Sequence, residues 1–192
     1  MYRLLPVGLI FLLASLSFSQ QPADASKDVK TKLEAFQART GVVIIRGFAA
    51  IGTLSGLYST SAVVECKEFT DASSGRKEYG ITIQVNSTAR SGIDTSTSYV
   101  DYDEIDSLIK GIDYISKIDS TVTQLSSFQA DYRTKDDLSF STFSSGNEIL
   151  FAVKSGRIGS VTSYFKTANI ADLRKLLLDA KAKIDSIRTV IK

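Results

Sequence analysis

The strongest constraint on how this chain folds is a pair of amphipathic stripes, each preceded by a run of β-rich segments. Ile105, Leu108, Ile109, Ile112, Ile115 and Ile118 fall at i, i+3, i+4, i+7, i+10 and i+13. At 3.6 residues per turn that spacing puts all six on one side of a helix. A second stripe, Ile170, Leu173, Leu177, Ala180, Ile184 and Ile187, lies near the C-terminus. A helix with one apolar side must bury it, so each stripe demands an apolar surface to lie on.

The segments ahead of each stripe supply that surface. Val42–Leu54 is β-branched and apolar, with Gly47 and Gly52 expected to bend or bulge it. Leu57–Phe69 reads as a second strand, followed by the turn Asp71-Ala72-Ser73-Ser74-Gly75. Tyr79, Ile81, Ile83 and Val85 then alternate with Gly80, Thr82 and Gln84, the pattern of a strand with one buried and one wet face. A fourth strand is expected around Thr95–Tyr102. The order then recurs. Strands are predicted within Thr121–Thr134 (with Phe128, Ala130 and Tyr132 alternating), over Leu138–Phe143, over Ile149–Val153 and over Gly159–Phe165. Ser98-Tyr99-Val100 stands in the same phase to its helix as Ser163-Tyr164-Phe165 does to the second, and Ile105/Ile170, Leu108/Leu173 and Ile112/Leu177 correspond.

Strands that follow one another through short turns pair antiparallel. The fold class is therefore α+β, with antiparallel sheets and two amphipathic helices arranged as two pseudo-repeated ββββα units, about 42–119 and 121–191. Each helix is expected to lie across its own unit's strands. This element order resembles that of the Whirly family of single-stranded nucleic-acid-binding proteins, which uses two such units. The lysine-rich strand motif of that family is missing here, and no residue roles follow from the resemblance.

The N-terminus speaks to address. Met1-Tyr2-Arg3 is a basic start, Leu4–Phe18 an apolar run, and Ser17-Phe18-Ser19 a small-x-small pattern ahead of Gln20. Residues 1–19 read as a signal peptide, with cleavage after Ala25 as the second choice. The apolar run falls short of the ~20 residues of a spanning helix, so no integral span is expected after cleavage. The chain is expected to be secreted or periplasmic, which differs from the compartments of the Whirly family. Residues 20–41 form a polar lead-in and a short helix over Asp28–Ala38, with Val29, Leu33 and Phe36 on one face and Gly41 past its end. Residues 42–192 form one domain, large enough to hold together by core packing. It has to be, since Cys66 is the lone cysteine and no internal disulfide can form.

Composition narrows the chemistry. There is no histidine, which removes the commonest general base and the imidazole metal ligand. No set of His and Cys could hold zinc. There is no tryptophan, so any ring platform must use Tyr or Phe. Lys and Arg total 23 against 21 Asp and Glu, and the two signs are interleaved. A polyanion binder concentrates its cations, so no specific nucleic-acid partner is expected.

Motif-like clusters resolve into structural readings. Asp101-Tyr102-Asp103-Glu104-Ile105-Asp106 lacks the oxygen ligand and glycine a calcium loop needs at its fifth and sixth places. Asp101 or Asp103 is expected instead to cap the helix that follows. Ser107-Leu108-Ile109-Lys110 and Ser163-Tyr164-Phe165-Lys166 match Ser-x-x-Lys without the companion motifs of Ser/Lys acyl transfer. Gly47, Gly52 and Gly56 precede no Gly-Lys-Ser/Thr, so they are strand bends rather than a phosphate loop. Cys66 reads as a small buried hydrophobe. Asn86-Ser87-Thr88 is a glycosylation sequon expected on a surface loop, and Tyr132, Arg133 and Lys135 a solvated hairpin tip.

No catalytic, cofactor-binding or metal-binding residue is assigned, and no cofactor is expected. The reading is an exported non-enzymatic domain, a binding or envelope-associated accessory protein whose partner is a protein or a small apolar ligand. It would bind through a sheet face or the groove between units. Leu150 and Ala152 favour this, since they add apolar surface to the second face of a strand whose first face holds Ile149, Phe151 and Val153. The alternatives are a hydrolase with two facing carboxylates, and single-strand nucleic-acid binding on a basic, aromatic-rich face.

Overall fold

Ile81, Ile83 and Val85 are fully buried on β3 (Lys77–Ala89), as their alternation requires. They sit at the centre of the first of two four-stranded antiparallel sheets in a computed structural model, which describes residues 29–89 and 92–189. The leader expected over residues 1–19 and most of the polar lead-in lie outside the described residues. The first sheet has the order β1-β2-β3-β4, with β1 Ile44–Ser55, β2 Thr60–Asp71 and β4 Gly92–Asp101. The second has the order β5-β6-β7-β8, with β5 Gln129–Arg133, β6 Ser139–Ser145, β7 Glu148–Ser155 and β8 Val161–Lys166. Helix α1 is Lys32–Gln37, α2 Ile105–Ile115 and α3 Asn169–Thr189. The class is α+β, with two ββββα units in order. No described helix is long and apolar enough to cross a membrane.

The two units match in register. Val64, Ile83 and Ser98 lie side by side across β2, β3 and β4, and Phe140, Val153 and Ser163 do so across β6, β7 and β8. One row on, Cys66, Ile81 and Val100 match Thr142, Phe151 and Phe165. The helices match too: Ile105, Leu108 and Ile112 are fully buried, as are Leu173 and Leu177, with Ile170 nearly so.

The helices do not lie where expected. Helix α2 packs on β5 and β6, and α3 on β1 and β2, so each covers the other unit's sheet. Two glycines show how closely. A Cβ at Gly111 of α2 would come within 2.5 Å of Cγ and Cε2 of Tyr132 on β5. A Cβ at Gly52 of β1 would come within 2.6 Å of Leu176 Cδ2 on α3. Gly52 pairs with Val64 as Tyr132 pairs with Phe140, so these are the same contact in the two halves with the large and small partners exchanged. An apolar stripe fixes the width of the surface it needs, not which sheet provides it.

The hairpin tips cross over as well. Leu57 N donates to Tyr164 O (2.6 Å) and Thr60 Oγ1 accepts from Tyr164 N (3.1 Å), so the β1–β2 tip docks on β8. Asp136 Oδ2 accepts from Tyr99 N (2.8 Å) and Asp136 O from Ser98 Oγ (3.2 Å), so the β5–β6 tip docks on β4. The latter tip was expected to be solvated. Its Lys135 N instead donates to Glu104 Oε1 (2.9 Å), and Arg133 reaches Asp137 at 3.7 Å. Both inner edge strands are thereby capped, which removes two templates for unwanted pairing.

Other expectations shift at the edges of elements. Helix α2 ends at Ile115, and β5 begins only at Gln129 after a 3-10 turn at Ser120–Val122. β1 carries the expected irregularity, a register shift between Ala50 and Gly52. Thr31 opens α1 with a reciprocal capping box to Glu34. Leu33 and Phe36 of α1 are buried against Phe69, but Val29 stands 53% exposed before the helix begins. That small cluster covers one end of the first sheet's outer face: a Cβ at Gly80 would meet Leu33 Cδ1 at 2.5 Å, and Thr82 is buried. The supposed wet face of β3 is dry there.

Candidate functional site

Asp101 and its neighbours show what the acidic run does. Asp101 makes no side-chain cap on the helical turn that follows it. Its carboxylate accepts from Lys32 N (2.9 Å) and Leu33 N (3.1 Å), capping α1 from a distant strand. Asp103 pairs with Lys32 Nζ at 2.8 Å, which holds its carboxyl below the usual range. Glu104 is only 8% exposed, and its Oε2 has no hydrogen-bond partner. Burial pushes its carboxyl above the ordinary value. Among the described residues no three acids or thiols gather as a metal cage.

The remaining sequence candidates scatter. Ser107 and Lys110 are both exposed on α2. Ser163 is buried, donating to Ser61 O (2.9 Å) and Asn86 O (3.0 Å), while Lys166 is exposed. Cys66 donates to Ala180 O at 3.4 Å beneath α3, and burial pushes its thiol up to about 11. Asn86 is not on a loop but inside β3, with its amide donating to Ser61 Oγ (3.2 Å) and its Oδ1 accepting from Thr95 Oγ1 (3.0 Å).

Two hollows lie at element junctions. The groove between the units, about 380 Å³, is lined by Ser87, Asp94 and Thr95 from one and Gly159–Thr162 from the other. A second of about 390 Å³ lies between β1 and the start of α3 and holds Asp172 and Lys175. Each contains a single carboxylate. The first is walled mainly by hydroxyls, which offer hydrogen bonds but little apolar area, and the second adds Leu54 and Leu176 but no aromatic ring, so neither holds an aromatic anchor.

The anchors lie elsewhere, on the outer face of the second sheet. Strand alternation sends Phe140, Phe151, Val153 and Phe165 inward under the helices. It sends Phe143, Leu150, Ala152 and Tyr164 outward, where among the described residues no helix lies over them. In register, Phe143 stands beside Leu150, and Ala152 beside Tyr164. The docked hairpin tip then adds Tyr58, whose positive φ of 55° turns its ring outward from the β1–β2 connection. Tyr58 and Tyr164 meet edge-on at 6.3 Å, and Phe143 and Tyr164 at 6.4 Å. Tyr58 is 75% and Tyr164 37% exposed, whereas Leu150 and Ala152 beneath are buried. Lys154 and Lys166 are exposed on the same face.

Leu150 and Ala152 were a sequence signal for this face, since they made β7 apolar on both sides. Tyr58 carried none, because it reaches the face only through the crossed hairpin tip. No family model matches the chain, and no curated protein matches it.

Proposed function

We propose that this is an exported, non-enzymatic binding module that takes a protein partner's apolar side chains, or a small apolar ligand, on the outer face of the second sheet. The observation that carries the reading is the ring cluster of Tyr58, Phe143 and Tyr164 on a strand face without a helix. Rings are large, rigid and cheap in conformational entropy to immobilise, and here they meet edge-on at the distances aromatic pairs favour. Their support is fixed by the register of β6–β8 and by the Leu57–Tyr164 bridge, so little order need be gained on binding. The leader-like residues 1–19 support secretion or a periplasmic address. The single carboxylate in each junction hollow gives no support to two-acid hydrolysis.

Lys154 and Lys166 beside the rings favour a second reading, stacking of single-stranded nucleic acid bases on the same face. Thermal-shift screening of residues 20–192 against apolar small molecules, hydrophobic peptides and oligonucleotides separates these. Ligands are expected to raise the melting temperature of the wild type and not of Tyr164→Ala, with Tyr114→Ala on α2 as the exposed-ring control. Ligands that stabilise wild type and Tyr164→Ala equally would refute this face as the site. A strongly salt-dependent oligonucleotide signal would select the second reading.

A further inference from the structure

Two of the four sheet edges, β4 and β8, are occupied by hairpin tips. Of the other two, β5 is only 5 residues long and carries Asp131 and Arg133, whereas β1 runs for 12. It ends the first sheet, and among the described residues no strand or hairpin tip is hydrogen-bonded to its free side. Edge strands are normally blunted by charge, proline or a bulge. Between Ile44 and Ala50 there is no proline, the one charge is Arg46, and pairing to β2 is regular until the shift at Gly52. Ile45 is 57% and Phe48 74% exposed on this segment.

The segment is also self-complementary. The regular stretch Ile44–Ala50 has Gly47 at its midpoint. Run antiparallel against itself about Gly47, it sets Arg46 opposite Phe48 of a second copy, Ile45 opposite Ala49, and glycine opposite glycine. Phe48 already has the Lys67 ammonium over its ring at 5.3 Å, so the ring accepts cations. The neighbouring registers are worse. An axis on Arg46 opposes two guanidiniums, and an axis on Phe48 sets Ile44 against Gly52, beyond the bulge.

We propose that β1 pairs antiparallel with β1 of a second copy about a two-fold axis at Gly47, joining the two first sheets into one. Sedimentation of residues 20–192 is expected to give a concentration-dependent dimer. Directly opposed residues have Cα atoms about 4.5–5.5 Å apart, within disulfide reach, whereas diagonal ones at about 7–8 Å are beyond it. Gly47→Cys is therefore expected to cross-link to itself on mild oxidation, and its new side chain meets only ordinary contact with Glu68 at 3.6 Å. Arg46→Cys and Phe48→Cys are expected to cross-link to each other when mixed and not to themselves. Phe48→Lys, on an exposed site, is expected to leave a monomer with the wild-type far-UV circular dichroism spectrum. A monomer at all concentrations overturns the proposal, as does a dimer in which Gly47→Cys fails to cross-link or Arg46→Cys cross-links to itself.

Discussion

Gly111→Ala should destabilise this protein, although the same change at an ordinary helix glycine stabilises. In a helix interior alanine is favoured over glycine by about 1 kcal/mol. Here the new methyl would lie within 2.5 Å of Tyr132 Cγ and Cε2, where carbon atoms normally rest about 3.5–4.0 Å apart. Because Cγ is the root of the ring, turning the ring about Cβ–Cγ does not clear it, and turning the whole side chain about Cα–Cβ would pull the ring away from the core it packs against. Either the strand or α2 must give by about 1 Å, parting the contacts of Leu108 and Ile112 below. Overpacking of that kind costs toward the upper end of about 1–3 kcal/mol, leaving a net loss near 2 kcal/mol. For a chain of this size the melting temperature should fall by about 4–8 °C. Far-UV circular dichroism across a urea series gives the same quantity independently. Gly52→Ala is the matched control. Its methyl would meet only Leu176 Cδ2, the free end of a side chain that can turn away, so the change should stay within about 0.5 kcal/mol. Combining Gly111→Ala with Tyr132→Ala should be less damaging than the sum of the two, since the clash partner is gone. A Gly111→Ala protein that melts higher than wild type would refute the crossed packing of α2 on β5.

Two further outcomes follow from the acidic residues. Asp101→Ala removes the acceptor of two backbone N–H donors at the start of α1 and should cost about 1–2 kcal/mol, read by thermal melts, with Asp103→Ala on the exposed pair closer to zero. Glu104 and Glu78 both have carboxyls raised by burial, so their contribution to stability is full below the ordinary glutamate range and is lost as pH rises through their folded values; Glu104→Gln should flatten the decline in stability between mildly acidic and neutral pH, and an unchanged slope would show that Glu104 does not titrate there.

The elements were legible wherever one periodicity ruled. Ile105–Ile115 and Ile170–Ile184 wrote their helices plainly, and Tyr79–Val85 its strand. What sequence could not disclose was pairing at a distance. A stripe on α3 looks the same whether it lies on β1 and β2 or on β6 and β7. Asp101 looks like the cap of the helix beside it, since Asp fits any nearby helix start, and only the fold brings α1 to its other side. The candidate face was half visible: Leu150 and Ala152 marked the strand, but Tyr58, Phe143 and Tyr164 meet only after the tip of one unit's hairpin has crossed to the other unit's edge strand.

That crossing sets an order of events for the chain. A polypeptide emerging from its N-terminus completes the first sheet at Asp101, yet the helix that covers Val64 and Cys66 begins at Asn169. Until α3 arrives, the first sheet has no lid of its own, and α2 has no sheet to rest on until β5 and β6 form. Neither half can finish before the other, so a C-terminal truncation anywhere before α3 leaves the first half as unfinished as the second. The same dependence makes the halves candidates for reassembly from two separate pieces, each holding the missing cover of its partner.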